Sequence, residues 1–159
     1  MTNVAMPLTM SAFASGTPIW VAKKRQNSLE LLQKSNALGF VAKGVFQQLD
    51  EVFKECSTPG WDGEEAKPIS GEVLGYAKKF LYSFPLGIEA PEISAEPDGA
   101  ITLEWYRSPS RVLSISINPD GWIYYAAIIG ASRRHGADFS LIGITGDLVN
   151  LISQIIKDG

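Results

Sequence analysis

The chain has 159 residues, a hydrophobic fraction of 45%, a charged fraction of 19% and a formal net charge of −3. A domain of this size buries roughly 68–70% of its unfolded surface, enough for a real core. The negative balance argues against general nucleic-acid binding, the lone Cys56 against an internal disulfide, and the lack of any run near ~18 apolar residues against a membrane helix.

Residues 1–26 read as an N-terminal arm, either a free tail or a docked segment, and residues 27–159 as a single domain. The stretch before Gly16 is small and apolar, but no Lys or Arg precedes Lys23 and Pro7 interrupts the run. A secretory signal needs a positive start, so the expectation is a cytoplasmic chain. Ile19-Trp20-Val21-Ala22 has the composition of a short edge strand, and the basic cluster Lys23, Lys24, Arg25 follows it.

A helix is expected from Asn27-Ser28, either of which can cap it, with Glu30 in the first turn. Leu38, Val41, Val45, Leu49, Val52 and Cys56 recur at spacings of three and four and form one apolar stripe. Gly39 and Gly44 weaken its middle, which leaves one kinked helix or two. Cys56 falls on the stripe and reads as a small hydrophobe rather than a reactive thiol.

Pro59-Gly60 ends that helix. The loop Trp61-Asp62-Gly63-Glu64-Glu65-Ala66-Lys67-Pro68-Ile69 reads in two ways. Structurally, Trp61 plugs into the core, Asp62 forms an Asx-turn and Gly63 takes positive φ. Functionally, Asp62 and Glu64 belong to a carboxylate cluster for a cation or for acid/base work. No ligand spacing is recognisable, so neither a metal nor a cofactor is expected. A second helix is predicted from Ser70, its cap, to Ser83, with Val73, Leu74, Ala77, Phe80 and Leu81 on its apolar face and Pro85 as its stop.

From Glu92 to Gly130 the chain predicts a four-stranded antiparallel meander. Pro97-Asp98-Gly99 and Pro119-Asp120-Gly121 repeat one turn chemistry: Pro presets φ, Asp bonds the nearby backbone, and Gly closes a three-residue hairpin loop. Ser108-Pro109-Ser110 forms the turn between them. With three-residue loops, Ile93 falls opposite Leu103, Trp105 opposite Leu113, and Ile115 opposite Tyr125, so odd-numbered apolar residues share one face. The even face pairs Glu104 with Ser114, Ser116 with Tyr124, and Glu92 with Glu104, a like-charge pair. Trp122, Tyr106 and Ile128 add bulk to it. A helix or the N-terminal arm covers this face, or it is an open contact surface.

Ser132-Arg133-Arg134-His135-Gly136 follows. It reads as a solvated turn at a strand end, with two functional alternatives: an anion contact through Arg133 and Arg134, or His135 as a base near Glu104 or Glu92. Phe139, Leu141 and Ile142 are expected against the sheet. Thr145-Gly146-Asp147 opens a last helix whose stripe is Leu148, Leu151, Ile152 and Ile155. The resulting fold class is α+β, with two N-terminal helical segments and one C-terminal helix packed on a four-stranded sheet.

Trp61-Asp62-Gly63, Ala66, Pro68-Ile69, Pro91-Glu92-Ile93-Ser94, Pro97-Asp98-Gly99 and Leu103-Glu104-Trp105 together form a pattern. It resembles that of a family of small bacterial proteins of unassigned function. The family pattern runs W-D-G-x-x-A-x-P-I, then P-x-I-x-x-x-P-D-G-x-I-x-L-E-W, then a strand closing on a Y-A-A-like run, here Tyr125-Ala126-Ala127. The resemblance covers residues 60–136 and implies one domain in a bacterial or phage cytoplasm, as an accessory product of a mobile element. It implies no activity and carries over no functional residue.

Three functions follow as expectations. The first is a non-enzymatic protein-binding module, such as an antitoxin, an inhibitor or a defence accessory protein. It would use Glu104, Tyr106, Ser114, Ser116, Trp122 and Tyr124 against another protein or a second copy, since interfaces are rich in Tyr, Trp and Arg. The second is a hydrolase using Glu104, Asp62 or Glu64 with His135, which requires these groups to converge. The third is nucleic-acid binding through Lys23, Lys24, Arg25, Arg133 and Arg134, which requires both clusters on one face and ranks last on net charge.

Overall fold

A computed structural model of the chain describes residues 43–157, within the unit Ala37–Gly159. The arm expected over 1–26, the helix start at Asn27-Ser28, and Gly39 and Val41 lie outside the described residues. Helix α1 covers residues 43–56, and there the stripe holds: Val45, Leu49 and Cys56 are buried and Val52 is half-buried. Helix α2 is Gly71–Tyr82, capped by the Ser70 hydroxyl, which accepts from the Val73 amide at 3.3 Å. Lys78 of α2 meets Asp50 of α1 at 2.8 Å, and Tyr82 stacks on Phe46.

The sheet has five strands in the order β1-β2-β3-β4-β5, all antiparallel to their neighbours. They are β1 Glu92–Ala95, β2 Ile101–Ser108, β3 Arg111–Ile117, β4 Trp122–Ile129 and β5 Ser132–Phe139. Every predicted pairing is present: Ile93 with Leu103, Trp105 with Leu113, Ile115 with Tyr125, Glu104 with Ser114, Ser116 with Tyr124, and Glu92 with Glu104.

The two Pro-Asp-Gly turns repeat one set of bonds. Asp98 Oδ1 accepts from the Ala100 amide at 3.0 Å and Asp120 Oδ1 from the Trp122 amide at 3.1 Å. Gly99 and Gly121 take φ of 94° and 85°, the left-handed conformation the loop demands. The middle turn is tighter than predicted. Ser108 pairs with Arg111 across Pro109-Ser110, and Arg107 is bulged out, which preserves the register beyond it.

The fifth strand corrects the four-strand expectation. Ser132–Gly136 is not a solvated turn but the first part of β5. The reversal is the two-residue turn Gly130-Ala131, with Gly130 at φ 61°, as a hairpin with Gly in its first position requires. Arg, His, Gly and Asp are poor strand formers, yet an edge strand asks only for backbone pairing on one side. The expectation for Phe139, Leu141 and Ile142 is corrected in part. Phe139 ends β5 and packs edge-on against Trp122, but Leu141 and Ile142 of the 3-10 turn Ser140–Ile142 are exposed.

Helix α3, Gly146–Ile156, is capped by the Thr145 hydroxyl and buries Leu148, Leu151, Ile152 and Ile155. With α1 and α2 it packs on the odd face, where Ile93, Ile101, Leu103, Trp105, Leu113, Ile115, Ile117 and Ile123 complete one core. Trp105 also donates from Nε1 to the Glu89 carbonyl at 2.8 Å, so its polar end is satisfied. No described helix is long and apolar enough to cross a membrane.

Candidate functional site

The loop after α1 is a structural clasp. Trp61 donates from Nε1 to the Lys67 carbonyl at 3.0 Å, and its half-buried ring packs against the core. Asp62 Oδ1 accepts from the Glu64 amide at 2.8 Å and the Ala66 amide at 3.3 Å, and Gly63 has φ 87°. The Lys67 amide donates to the Pro97 carbonyl at 2.8 Å, which ties the loop to the first Pro-Asp-Gly turn. Nearly every residue of the quoted pattern thus makes a turn, a tie or core. Among the described residues, no three His, Cys, Asp or Glu side chains gather where they could hold a metal ion. Cys56 is buried; desolvation raises its thiol pKa first, with the Glu55 charge adding to it.

Glu104, with Glu92 and Ser94 beside it on the even face, departs from that pattern. Leu103 and Trp105 are buried, while Glu104 between them points to the opposite, even face, half-buried and opposite Glu92. The register builds this face in rows across the strands. One row is Glu92, Glu104, Ser114, Ala126 and His135. On one side of it lie Tyr106, Val112, Ile128 and Arg133; on the other lie Thr102, Ser116, Tyr124 and Ala137, then Trp122 and Phe139.

Ser114 and Ala126 make the face low over β3 and β4, between Tyr106 and Ile128 on one side and Tyr124 and Trp122 on the other, a shallow trough at the centre of a face that spans four strand spacings, about 19 Å. Tyr106, Trp122 and Tyr124 are 55%, 44% and 47% exposed, and the described helices all pack on the other face. Charge is polarised along the trough. Glu92 and Glu104 stand at the β1–β2 end, beside a concavity of 250 Å³ that Tyr106 and the Arg107–Glu89 ion pair also line, while Arg133 and His135 stand at the β5 end.

All six predicted face residues lie on this surface: Glu104, Tyr106, Ser114, Ser116, Trp122 and Tyr124. Val112, Arg133, His135 and Phe139 belong to it as well. Three of these were missed because β5 was read as a turn. The signal was present in Gly130 as a hairpin residue and in the alternation of Arg133, His135, Ala137 and Phe139 with Arg134, Gly136 and Asp138.

The catalytic set does not converge in the same way. Glu104 and His135 share a row but sit three strand spacings apart, about 14 Å, beyond one bridging water. Asp62 holds backbone amides at the β1–β2 end, where Glu64 lies with it, while His135 is on the far edge strand. Arg133 and Arg134 alternate in direction along β5, and both line one cleft with His135 and Asp147. Lys23, Lys24 and Arg25 lie outside the described residues. Comparison of the chain with family models, with curated proteins and with solved structures finds no match in any of the three.

Proposed function

We propose that the protein is a non-enzymatic binding module that holds another protein on the even face of its sheet. The observation that carries this reading is the trough: exposed Tyr106, Trp122 and Tyr124 around small side chains, on the side away from the helical layer. Exposed aromatics on a rigid scaffold favour association, and Tyr and Trp dominate binding energy at interfaces. The charge gradient adds direction. A matching segment presents its basic end to Glu92 and Glu104 and its acidic end to Arg133 and His135.

An antitoxin, an inhibitor or an accessory subunit of a defence system or mobile element works in this way, and the resemblance of residues 60–136 to small bacterial proteins implies an accessory product of a mobile element without assigning an activity. A single buried cysteine suits a bacterial cytoplasm. The test is co-expression with the product of the adjacent gene, followed by co-purification. The complex is retained by the wild type and by Leu86→Ser, a change at an exposed residue beside α1 and α2. It is lost from Trp122→Ala/Tyr124→Ala. Failure to retain a partner, or retention indifferent to the double substitution, overturns the proposal.

A further inference from the structure

We infer that two copies of the chain pair through their β5 edges and join their sheets into one of ten strands (five from each copy). The inference rests on the backbone of β5 and is independent of the function proposed above. The Ser140 amide donates to the Gly121 carbonyl at 2.9 Å, one step past the Trp122–Phe139 pair. Hydrogen-bonded and open pairs alternate, so Ile123–Asp138, Tyr125–Gly136 and Ala127–Arg134 are the bonded pairs with β4. Arg133, His135, Ala137 and Phe139 therefore turn their N–H and C=O groups outward, along an edge as long as β4 itself. The described helices pack mainly over β2, β3 and β4, with α3 bordering β5 on the helical side, and among the described residues no strand pairs with the outer edge of β5.

Symmetry then limits the register. A two-fold axis normal to the sheet pairs only residues whose side chains share a face, so the axis passes through one residue of β5. An axis at Arg134 sets that arginine against itself and Arg133 against His135. An axis at His135 sets the histidine against itself and leaves both arginines unmatched. An axis at Gly136 places Arg134 opposite Asp138 twice, on the helical side of the sheet.

In that register Arg133 also faces the partner's Phe139, which already packs on Trp122. Gly136, with no side chain, lies on the axis. Among the described residues neither Arg134 nor Asp138 has an ion-pair partner within its own chain. Arg134 lines a cleft of 470 Å³ on the side of α3, with Asp147, Asn150 and Gln154, and makes no ion pair there. The edge thus carries complementary charge for a second copy, and the two even faces become one continuous surface.

Sedimentation velocity of the full chain tests this. The wild type is expected at twice 17.3 kDa. Arg134→Asp and Asp138→Arg each set two like-charge pairs across the seam and weaken association about tenfold. Arg134→Asp/Asp138→Arg restores it. Ala137→Pro removes an outward amide that β4 does not use, so it yields a folded monomer. A wild type that stays monomeric at about 100 μM, well above a typical dimer constant, overturns the inference. So does a dimer that ignores the charge reversals, or one that the double exchange fails to restore.

Discussion

Glu104→Gln separates stability from binding on the even face. Glu92 and Glu104 are opposite each other, in the same class of pair as Glu96–Ala100, where the Glu96 amide donates to the Ala100 carbonyl at 2.8 Å. That makes them a hydrogen-bonded pair with Cα atoms about 5.5 Å apart. Among the described residues no cation or donor side chain bonds Glu104. Two unit charges about 5 Å apart repel by about 0.8 kcal/mol in a water-like dielectric. Gln keeps the shape and removes the repulsion, so the folded state gains about 0.5–1 kcal/mol. Urea unfolding at about 20 mM and about 0.5 M NaCl is the assay, because the screening length at the higher salt is only ~4 Å and the gain fades. Partner retention falls with the same substitution. If Glu104→Gln lowers stability at low salt, Glu104 is a structural residue and the face has lost its acidic contact.

Two further outcomes are expected. A Cβ on Gly136 would fall 2.3 Å from Tyr125 Oη and 2.5 Å from its Cζ, so Gly136→Ala drives the ring off the strand. Re-exposing on the order of 50 Å² of ring costs about 1.3 kcal/mol, against a gain of about 0.5–1 kcal/mol for Ala over Gly in a strand. The substitution is therefore mildly destabilising in the wild type and stabilising in Tyr125→Ala; equal effects in both backgrounds contradict the contact. The raised thiol pKa of Cys56 means the unfolded chain ionises first as pH rises. Its contribution is whole below the ordinary thiol value, about 8.5, and is lost above it. Cys56→Ala abolishes that alkaline decline in urea midpoint, and native-state alkylation by iodoacetamide is slow until the chain unfolds.

What was legible in the sequence follows from how many signals agreed on each element. Turn residues, period-two alternation and loop length all pointed to one register for β1 to β4, and a one-residue slip would have turned Leu113 and Ile115 to solvent. The caps Ser70 and Thr145 and the two apolar helix faces were equally over-determined. β5 had the opposite character. Its pairing is carried by backbone, its side chains are mostly exposed, and its composition is charged, so propensity opposed the strand and only Gly130 and a weak alternation pointed to it. The sequence therefore defines the face over four of its five strands and leaves its basic end in a turn. Thr102 departs from parity for a local reason: its hydroxyl donates to Glu96 Oε1 at 2.9 Å, which lets an even-numbered residue be buried.

The division of labour by parity also bears on how the face would bind. Leu103, Trp105, Leu113 and Ile115 hold β2 and β3 against the helices, while Glu104, Tyr106, Ser114 and Ser116 on the same strands make no core contact. The strand ends are fastened as well: a Cβ added at Gly99 would fall 3.5 Å from the Pro68 carbonyl oxygen and 3.8 Å from the Pro119 ring, so the two repeated turns and the Trp61 loop lie against one another. A partner docking there meets a backbone already ordered by hydrogen bonds on both sides of β2, β3 and β4. Only side-chain rotamers remain to be fixed, at about 0.5–1.5 kcal/mol each. Substitutions at even positions then act mainly on how long a complex lasts rather than on how fast it forms, whereas the charged ends of the trough govern encounter.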